Sequence, residues 1–349
     1  MLGVIEGFYG RPWAMRSRKS TVAALRPHGY GFYIYAPKSD NYLRRGWRTP
    51  YPQRDFEALA SLAGYCHGLG VSFGLGFSPY ALFRNFDQTA RTELAIKLDQ
   101  LRALKLDLFA ILFDDMPGGS PQLANEQLAI IEAVGQQLPG TKLIFCPTYY
   151  SDDPVLDRAF GRRPADYLET IGKLLDPRIA IFWTGPEICS REISPGHIDR
   201  ISNLLRRKPF LWDNYPVNDG PRMSRYLHIR AVTGRSVTAV TQLEGHAVNP
   251  SLQPTLAQIP AMSLAMAYRQ GSRYDYGRAF HEAATAVCGS QLAEYLSEDL
   301  SLLQDTGLER LGVVEVERLR ARYGGIDHEA AREVLGFLNG EYSFAGDMS

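Results

Sequence analysis

Apolar residues along this chain fall into two alternating periods. Short, almost wholly apolar runs of high β propensity recur at 2–6, 32–36, 72–77, 108–113, 142–146, 179–183, 209–212 and 243–248, spaced about 30–40 residues apart. Between them the spacing turns helical: Phe56, Leu59, Leu62, Ala63 and Cys66 share one face, as do Leu94, Leu98, Leu101 and Leu104, and again Leu128, Ile131, Val134 and Leu138. Runs without polar alternation are buried on both faces, the habit of parallel strands covered by crossover helices. Eight such βα units in order predict a (β/α)8 TIM barrel over residues 1–270, with an open doubly wound sheet as the competing arrangement. No GxGxxG or GxxxxGKS/T opens the first helix, so the nucleotide-binding form of that alternative has no support. A helix over 252–269 is expected to stop at Gly271, and 271–349 reads as a small all-helical appendage. There the stripe Leu292, Leu296, Leu300 and Leu303 ends at Gly307, and Asp327 is placed to cap a last helix carrying Ala330, Val334, Leu335 and Leu338.

Composition narrows the function classes. The 38 basic and 38 acidic residues cancel, so no net field points to nucleic acid, an anionic membrane surface or steering of a charged polymer. Aromatics at 11%, rich in Tyr, lean toward a ligand pocket. Cys66, Cys146, Cys189 and Cys288 lie far apart without CxxC spacing, which argues for buried thiols over a zinc ribbon or a disulfide framework. The histidines His28, His67, His197, His228, His246, His281 and His328 show no HxH or HExxH spacing, and none directly follows an expected strand. Metal catalysis therefore has little support. Strand-like sequence begins at Leu2 and no apolar run approaches membrane-spanning length, so the chain as it stands reads as cytoplasmic, although a chain trimmed of a leader reads the same way.

The chemistry gathers at strand ends. The run 108–113 leads directly into Asp114 and Asp115, where barrel enzymes keep their active sites. Two adjacent carboxylates cannot both ionise freely, so one pKa should rise while the other stays low; a loop that caps a helix or binds a cation is the competing reading. The other strand ends deliver Gly7 to Trp13, Pro37 to Asp40, Pro147 to Tyr150, Trp183 to Pro186, Trp212 with Asp213 and Asn214, Asn218 with Asp219, and Asn249. Aromatic walls with Asn, Asp and Lys groups suit a neutral, hydroxyl-rich ligand such as a sugar. Each residue also has a plainer reading. Lys38 can simply neutralise Asp40 or Asp114, Trp183 and Trp212 can be barrel-end packing, and Gly7, Asn214 and Asn249 can serve as turn residues. Ser78 and Cys146 sit at strand ends without an evident histidine partner, so a nucleophilic triad is poorly supported and Cys146 reads better as pocket wall.

Taken in order, GVIEGFYGRPW at 3–13, YAPK at 35–38, LFDD at 112–115, FCPT at 145–148, WTGP at 183–186 and WDN at 212–214 resemble glycoside hydrolase family 84, the O-GlcNAcase family of β-N-acetylglucosaminidases, which includes bacterial hyaluronidase-like members. The resemblance spans about residues 3–270. It implies a retaining exo-β-N-acetylglucosaminidase that needs no metal or organic cofactor, uses the substrate's own 2-acetamido oxygen as nucleophile and forms an oxazoline, a recognised exception to the two-carboxylate scheme. By motif position, Asp114 would accept the acetamide N–H and Asp115 would be the general acid and then base, with the raised pKa on Asp115. Tyr150 and Asn214 would hold the acetamido group in a small pocket lined by Cys146 and Trp212. Asp219, Lys38, Asn249 and the carbonyl of Gly7 would bind the sugar hydroxyls. The implied partner is a GlcNAc-bearing glycoside, glycan or glycoprotein, and a hyaluronan-like polymer is least favoured because the chain carries no net basic charge. Ser39 and Tyr149 stand where many relatives carry acids, so aglycone preference does not transfer. A catalytically silent glycan-binding module and a metal-dependent hydrolase using the Asp pair are the alternatives, and neither oligomeric state nor the role of the tail is legible.

Overall fold

The computed structural model describes residues 1–343 and closes eight parallel strands into a barrel in sequence order. The strands are β1 (Leu2–Glu6), β2 (Tyr30–Tyr35), β3 (Ser72–Phe77), β4 (Leu108–Leu112), β5 (Lys142–Cys146), β6 (Ala180–Trp183), β7 (Phe210–Asp213) and β8 (Gly245–Val248). Closure comes from β1, where Val4 lies opposite Tyr33 of β2 and Val248 of β8. Each expected run corresponds to one strand, with ends displaced by at most two residues. The open doubly wound sheet is thereby excluded.

Alternation within the strands decides what reaches the interior. Phe32 of β2 meets Phe210 of β7 edge to face at 5.6 Å, although those strands are not neighbours, so both rings fill the barrel centre. Phe182 and Trp212 continue this stack with centroids 5.1 Å apart. Leu211 points the other way, buried against Ile198 of the helix Pro195–Leu205. Every residue of β4 is buried, as an apolar run between barrel interior and helix layer requires. The covering helices bury the stripes read from the sequence: Leu59, Leu62, Ala63 and Cys66 on Gln53–Gly68, and Leu94, Leu98 and Leu101 on Gln88–Arg102.

Two helix boundaries depart from expectation. The helix after β8 is Gln258–Gln270, six residues shorter at its start, because side chains from elsewhere hold the preceding turn. Asn218 Oδ1 accepts the Leu252 N–H at 2.9 Å, and Glu333 accepts the N–H groups of Thr255 and Leu256, each at 2.8 Å. The last helix, Glu329–Leu338, is capped by His328, whose ring accepts the Ala330 N–H, while Asp327 pairs with Arg332 at 2.6 Å. One residue of register separates the two candidates, and the chain gave the extended cap position to the histidine. The helices beyond 271 contain no strand among the described residues, and Leu292, Leu303, Leu319 and Phe337 belong to the same contiguous buried cluster as the barrel. No helix among the described residues is long and apolar enough to cross a membrane.

Candidate active site

A cavity of about 430 Å³ opens at the C-terminal ends of the strands. Asp114, Asp115, Gly7, Lys38, Cys146, Tyr150, Trp212, Asn214, Asp219 and Asn249, the ten residues singled out from the sequence, all line it.

Asp114 leaves β4 pointing into this cavity and is 5% exposed. Its Oδ2 is in short contact with Lys38 Nζ, while its Oδ1 is buried and has no hydrogen-bond partner among the described residues. Burial raises the Asp114 carboxyl above its usual range, against the lowering pull of the Lys38 ammonium. Asp114 is the deeper of the two acids, since the Asp115 side chain keeps 23% of its surface open.

Asp115 adopts φ +53°, a left-handed conformation uncommon outside glycine. This turns its carboxyl back over the cavity, where Tyr9 Oη donates to Oδ2 at 2.9 Å and Tyr150 Oη donates to Oδ1 at 3.1 Å. Burial, then the charge of Asp115, pushes both phenols upward, so each remains a donor at neutral pH.

The opposite wall is tied together by side-chain amides. Asn249 Oδ1 accepts the Gly7 N–H at 3.1 Å and its amide donates to Asn214 Oδ1 at 2.9 Å. Asn214 Oδ1 also accepts Trp212 Nε1 at 3.0 Å, and its own amide donates to the Ile188 carbonyl at 2.9 Å. One N–H of each Asn is left for a ligand. A Cβ on Gly7 would lie 2.3 Å from the Trp212 indole, so only glycine lets that ring close the cavity floor. Asp219 accepts the Tyr9 N–H at 2.7 Å, and burial lifts its carboxyl to about 6 in spite of that bond.

The chain is similar to known proteins. A family model described as beta-N-acetylglucosaminidase fits residues 2–302. The chain belongs to the β-N-acetylglucosaminidase family. The protein O-GlcNAcases of Mus musculus and Rattus norvegicus are 31% and 32% identical over 279 residues, which is 77% of this chain. The chain spans 30% of the length of those relatives. A mutant of the O-GlcNAc hydrolase of Thermobaculum terrenum superposes with a TM-score of 0.79 at 26% identity, covering 97% of this chain and 80% of that one. This β-N-acetylglucosaminidase family member is thus built on a (β/α)8 barrel.

Several strand-end residues do not reach the cavity. Asp213 faces outward from β7, where Arg235 clamps it at 2.6 and 2.8 Å and His246 Nε2 lies 3.0 Å away. Trp183 is fully buried on the outside of β6 and donates to His197 Nε2 at 2.9 Å. Asp40 accepts the hydroxyls of Tyr35 and Tyr51 and does not touch Lys38. Tyr149 turns away to donate to the Gly161 carbonyl. Period-two alternation carries the missed signal: with Phe182 and Trp212 inside, Thr184 and Asn214 must follow on the same face, and Thr184 does line the cavity. Tyr9, two residues beyond Gly7, was legible in the same way. The apolar rim of Val155, Leu156, Phe160 and Ile188 comes from loops and helix starts whose placement no periodicity reveals. Among the described residues no group of three or more His, Cys, Asp or Glu side chains is arranged to hold a metal ion.

Proposed function

We propose that this chain is a retaining exo-β-N-acetylglucosaminidase acting by substrate-assisted hydrolysis. The observation that carries the reading is Asp114 Oδ1, a buried acceptor at the cavity wall without a donor among the described residues, beside an acid held by two phenols. A buried acceptor left unpaired costs about 1–3 kcal/mol, a penalty that the N–H of a 2-acetamido group removes on binding. Asp114 and Asp115 come from one strand end and share one wall. An enzyme nucleophile and an acid would instead flank the scissile bond from opposite sides.

In this mechanism Asp114 takes the acetamide N–H and orients the carbonyl, whose oxygen attacks the anomeric carbon. Tyr150 turns its hydroxyl from Asp115 to that oxygen, and the acetamido methyl fits between Cys146 and Trp212. Asp115 gives its proton to the departing glycosidic oxygen as the C–O bond breaks, leaving on the sugar a cyclic oxazolinium ion, the protonated oxazoline, whose N–H proton stays on nitrogen and is held by Asp114. The Asp115 carboxylate then removes a proton from water as the water oxygen bonds to the anomeric carbon and the ring reopens. Asp114 stabilises the positive charge that develops on the acetamido group, while Lys38 holds its other oxygen and contributes to binding of the sugar. Asp219 accepts sugar hydroxyls, and Asn249 and the Gly7 carbonyl complete their binding. Residues 1–270 carry the chemistry in this scheme, and the helices beyond 271 support the turn after β8 through Glu333.

The substrate favoured is β-GlcNAc on a neutral or peptide-like aglycone, as the names of the relatives suggest for those proteins. The apolar rim suits such a group better than a polyanion. The test is hydrolysis of fluorogenic β-GlcNAc glycosides whose N-acyl group carries increasing fluorine. Rates should fall steeply as the acyl oxygen loses nucleophilicity, and Asp115→Asn should retain under about one part in a hundred of the activity. Rates indifferent to fluorination would sink the mechanism.

A further inference from the structure

Arg44 follows the short turn Asn41–Leu43 after β2 and is 5% exposed, yet it makes no ion pair with a carboxylate among the described residues, and its Nε has no hydrogen-bond partner there. A buried guanidinium is usually paired. This one lies against ring faces instead, 5.4 Å from the Tyr9 centroid and 5.5 Å from that of Tyr80. Its Nη2 donates to Tyr9 Oη at 3.1 Å and approaches the Asp115 carbonyl at 3.4 Å.

We propose that Arg44 is a positioning residue that dictates which oxygen of Asp115 carries the transferable proton. The proposal rests on the glycosidase reading above and deepens it. A guanidinium has no acceptor, so the Tyr9 oxygen must accept from Arg44, and the single phenol proton is directed to Asp115 Oδ2 at 2.9 Å. That hydrogen bond cannot reverse while Arg44 is present. Oδ2 also lies 3.8 Å from Lys38 Nζ, so two donors mark it as the accepting oxygen. Among the described residues Oδ1 is held only by Tyr150, the phenol that turns to the acetamido oxygen when substrate binds. Substrate therefore frees Oδ1 alone, and the proton for the leaving group sits there. Without Arg44 the Tyr9 hydroxyl can accept as well as donate, and Asp115 can hold its proton on Oδ2, turned toward Tyr9 and away from the glycosidic oxygen. The contact with the Asp115 carbonyl adds support for the left-handed backbone at that residue.

The experiment compares kcat/KM of wild type, Arg44→Met and Tyr9→Phe across aryl β-GlcNAc glycosides whose leaving groups range from weakly to strongly basic. This constant covers only the steps up to departure of the leaving group. Both variants should lose about ten- to hundredfold on the most basic leaving groups and under about threefold on the most activated, whose departure needs no proton. The double variant should be no worse than the poorer single one, because the two residues act through one contact. A loss equal across the series, or none, overturns the assignment, and Tyr9→Phe decides alone where Arg44→Met does not fold. Wild-type protein that turns over no member of the series sinks the glycosidase reading itself, which separates that failure from the failure of Arg44.

Discussion

On β7, Asp213 turns outward from the barrel with both oxygens taken by Arg235 and with His246 Nε2 3.0 Å from one of them. At the end of β4, Asp114 turns inward with one oxygen on Lys38 and the other without a partner among the described residues. Both carboxylates are buried, at 2% and 5% exposure, and both leave a strand at the same end of the barrel. Burial alone would raise each of them. Arg235 and its hydrogen bonds, with help from His246, nevertheless hold Asp213 well below the usual carboxylate range, whereas Lys38 only partly offsets burial at Asp114. Depth therefore does not distinguish a structural acid from a reactive one. Unfilled hydrogen-bonding capacity does, because the protein has left room for a donor it does not itself supply.

The sharpest way to break this comparison is Asp213→Ala. It strands a buried guanidinium and should cost about 3–5 kcal/mol of stability in urea unfolding. Because the folded pKa of Asp213 is depressed, its contribution is present above the unfolded value and lost as pH falls through the folded one, so the difference between wild type and variant should shrink in acid. Asp114→Asn should show the opposite profile. Its kcat/KM should fall about 10²–10³-fold, as when one charge-stabilising group is removed from a site, while its thermal midpoint falls far less than that of Asp213→Ala, because the amide oxygen can still accept from Lys38. A midpoint lowered as far as in Asp213→Ala would erase the distinction between the two acids.

Asp219 is the intermediate case, satisfied on one oxygen by the Tyr9 N–H and raised by burial to about 6. Sugar hydroxyls need its ionised form, so KM should rise as pH falls through about 6, and Asp219→Asn should abolish that limb. For stability the sign is reversed. A raised carboxyl contributes fully below its unfolded pKa and loses that contribution as pH rises through about 6, so Asp219→Asn should gain on the order of 2 kcal/mol at neutral pH while losing activity. The smallest effect is expected at Glu333, where burial lifts the carboxyl to about 7 although the Leu256 and Thr255 N–H groups pull it down. Glu333→Gln should flatten the stability lost between about pH 4.5 and 7 and leave kcat within about twofold, read from thermal midpoints across that range.

The strands were legible because a run such as Leu108 to Leu112, buried on both faces, has no polar alternation to confuse it with anything else. The site was legible wherever chemistry sits directly at a strand end, as with Asp114, Asp115 and Asn249. Reading every strand-end polar group as facing the mouth was too generous, and Asp213 and Trp183 show why: successive side chains leave a strand on opposite faces, so half of them meet the helix layer. The caps were harder. Asp327 and His328 differ by one position, and the outcome rested on which backbone adopted the extended cap conformation.

The sequence by itself determined the eight βα units and the run that delivers two adjacent acids to a strand end, because apolar periodicity and strand polarity are local properties of the chain. Only the tertiary structure decided that the strands close into a barrel, that Asp114 keeps a buried oxygen without a partner among the described residues, that Asp115 is aimed by Tyr9, Tyr150 and a guanidinium lacking a carboxylate partner among those same residues, and that Glu333 of the last helix holds the turn after β8. These are pairings between residues tens to hundreds of positions apart. Nothing in the spacing of a chain encodes whether such a partner arrives, since desolvation and hydrogen bonding act on distance in space and not on distance in sequence.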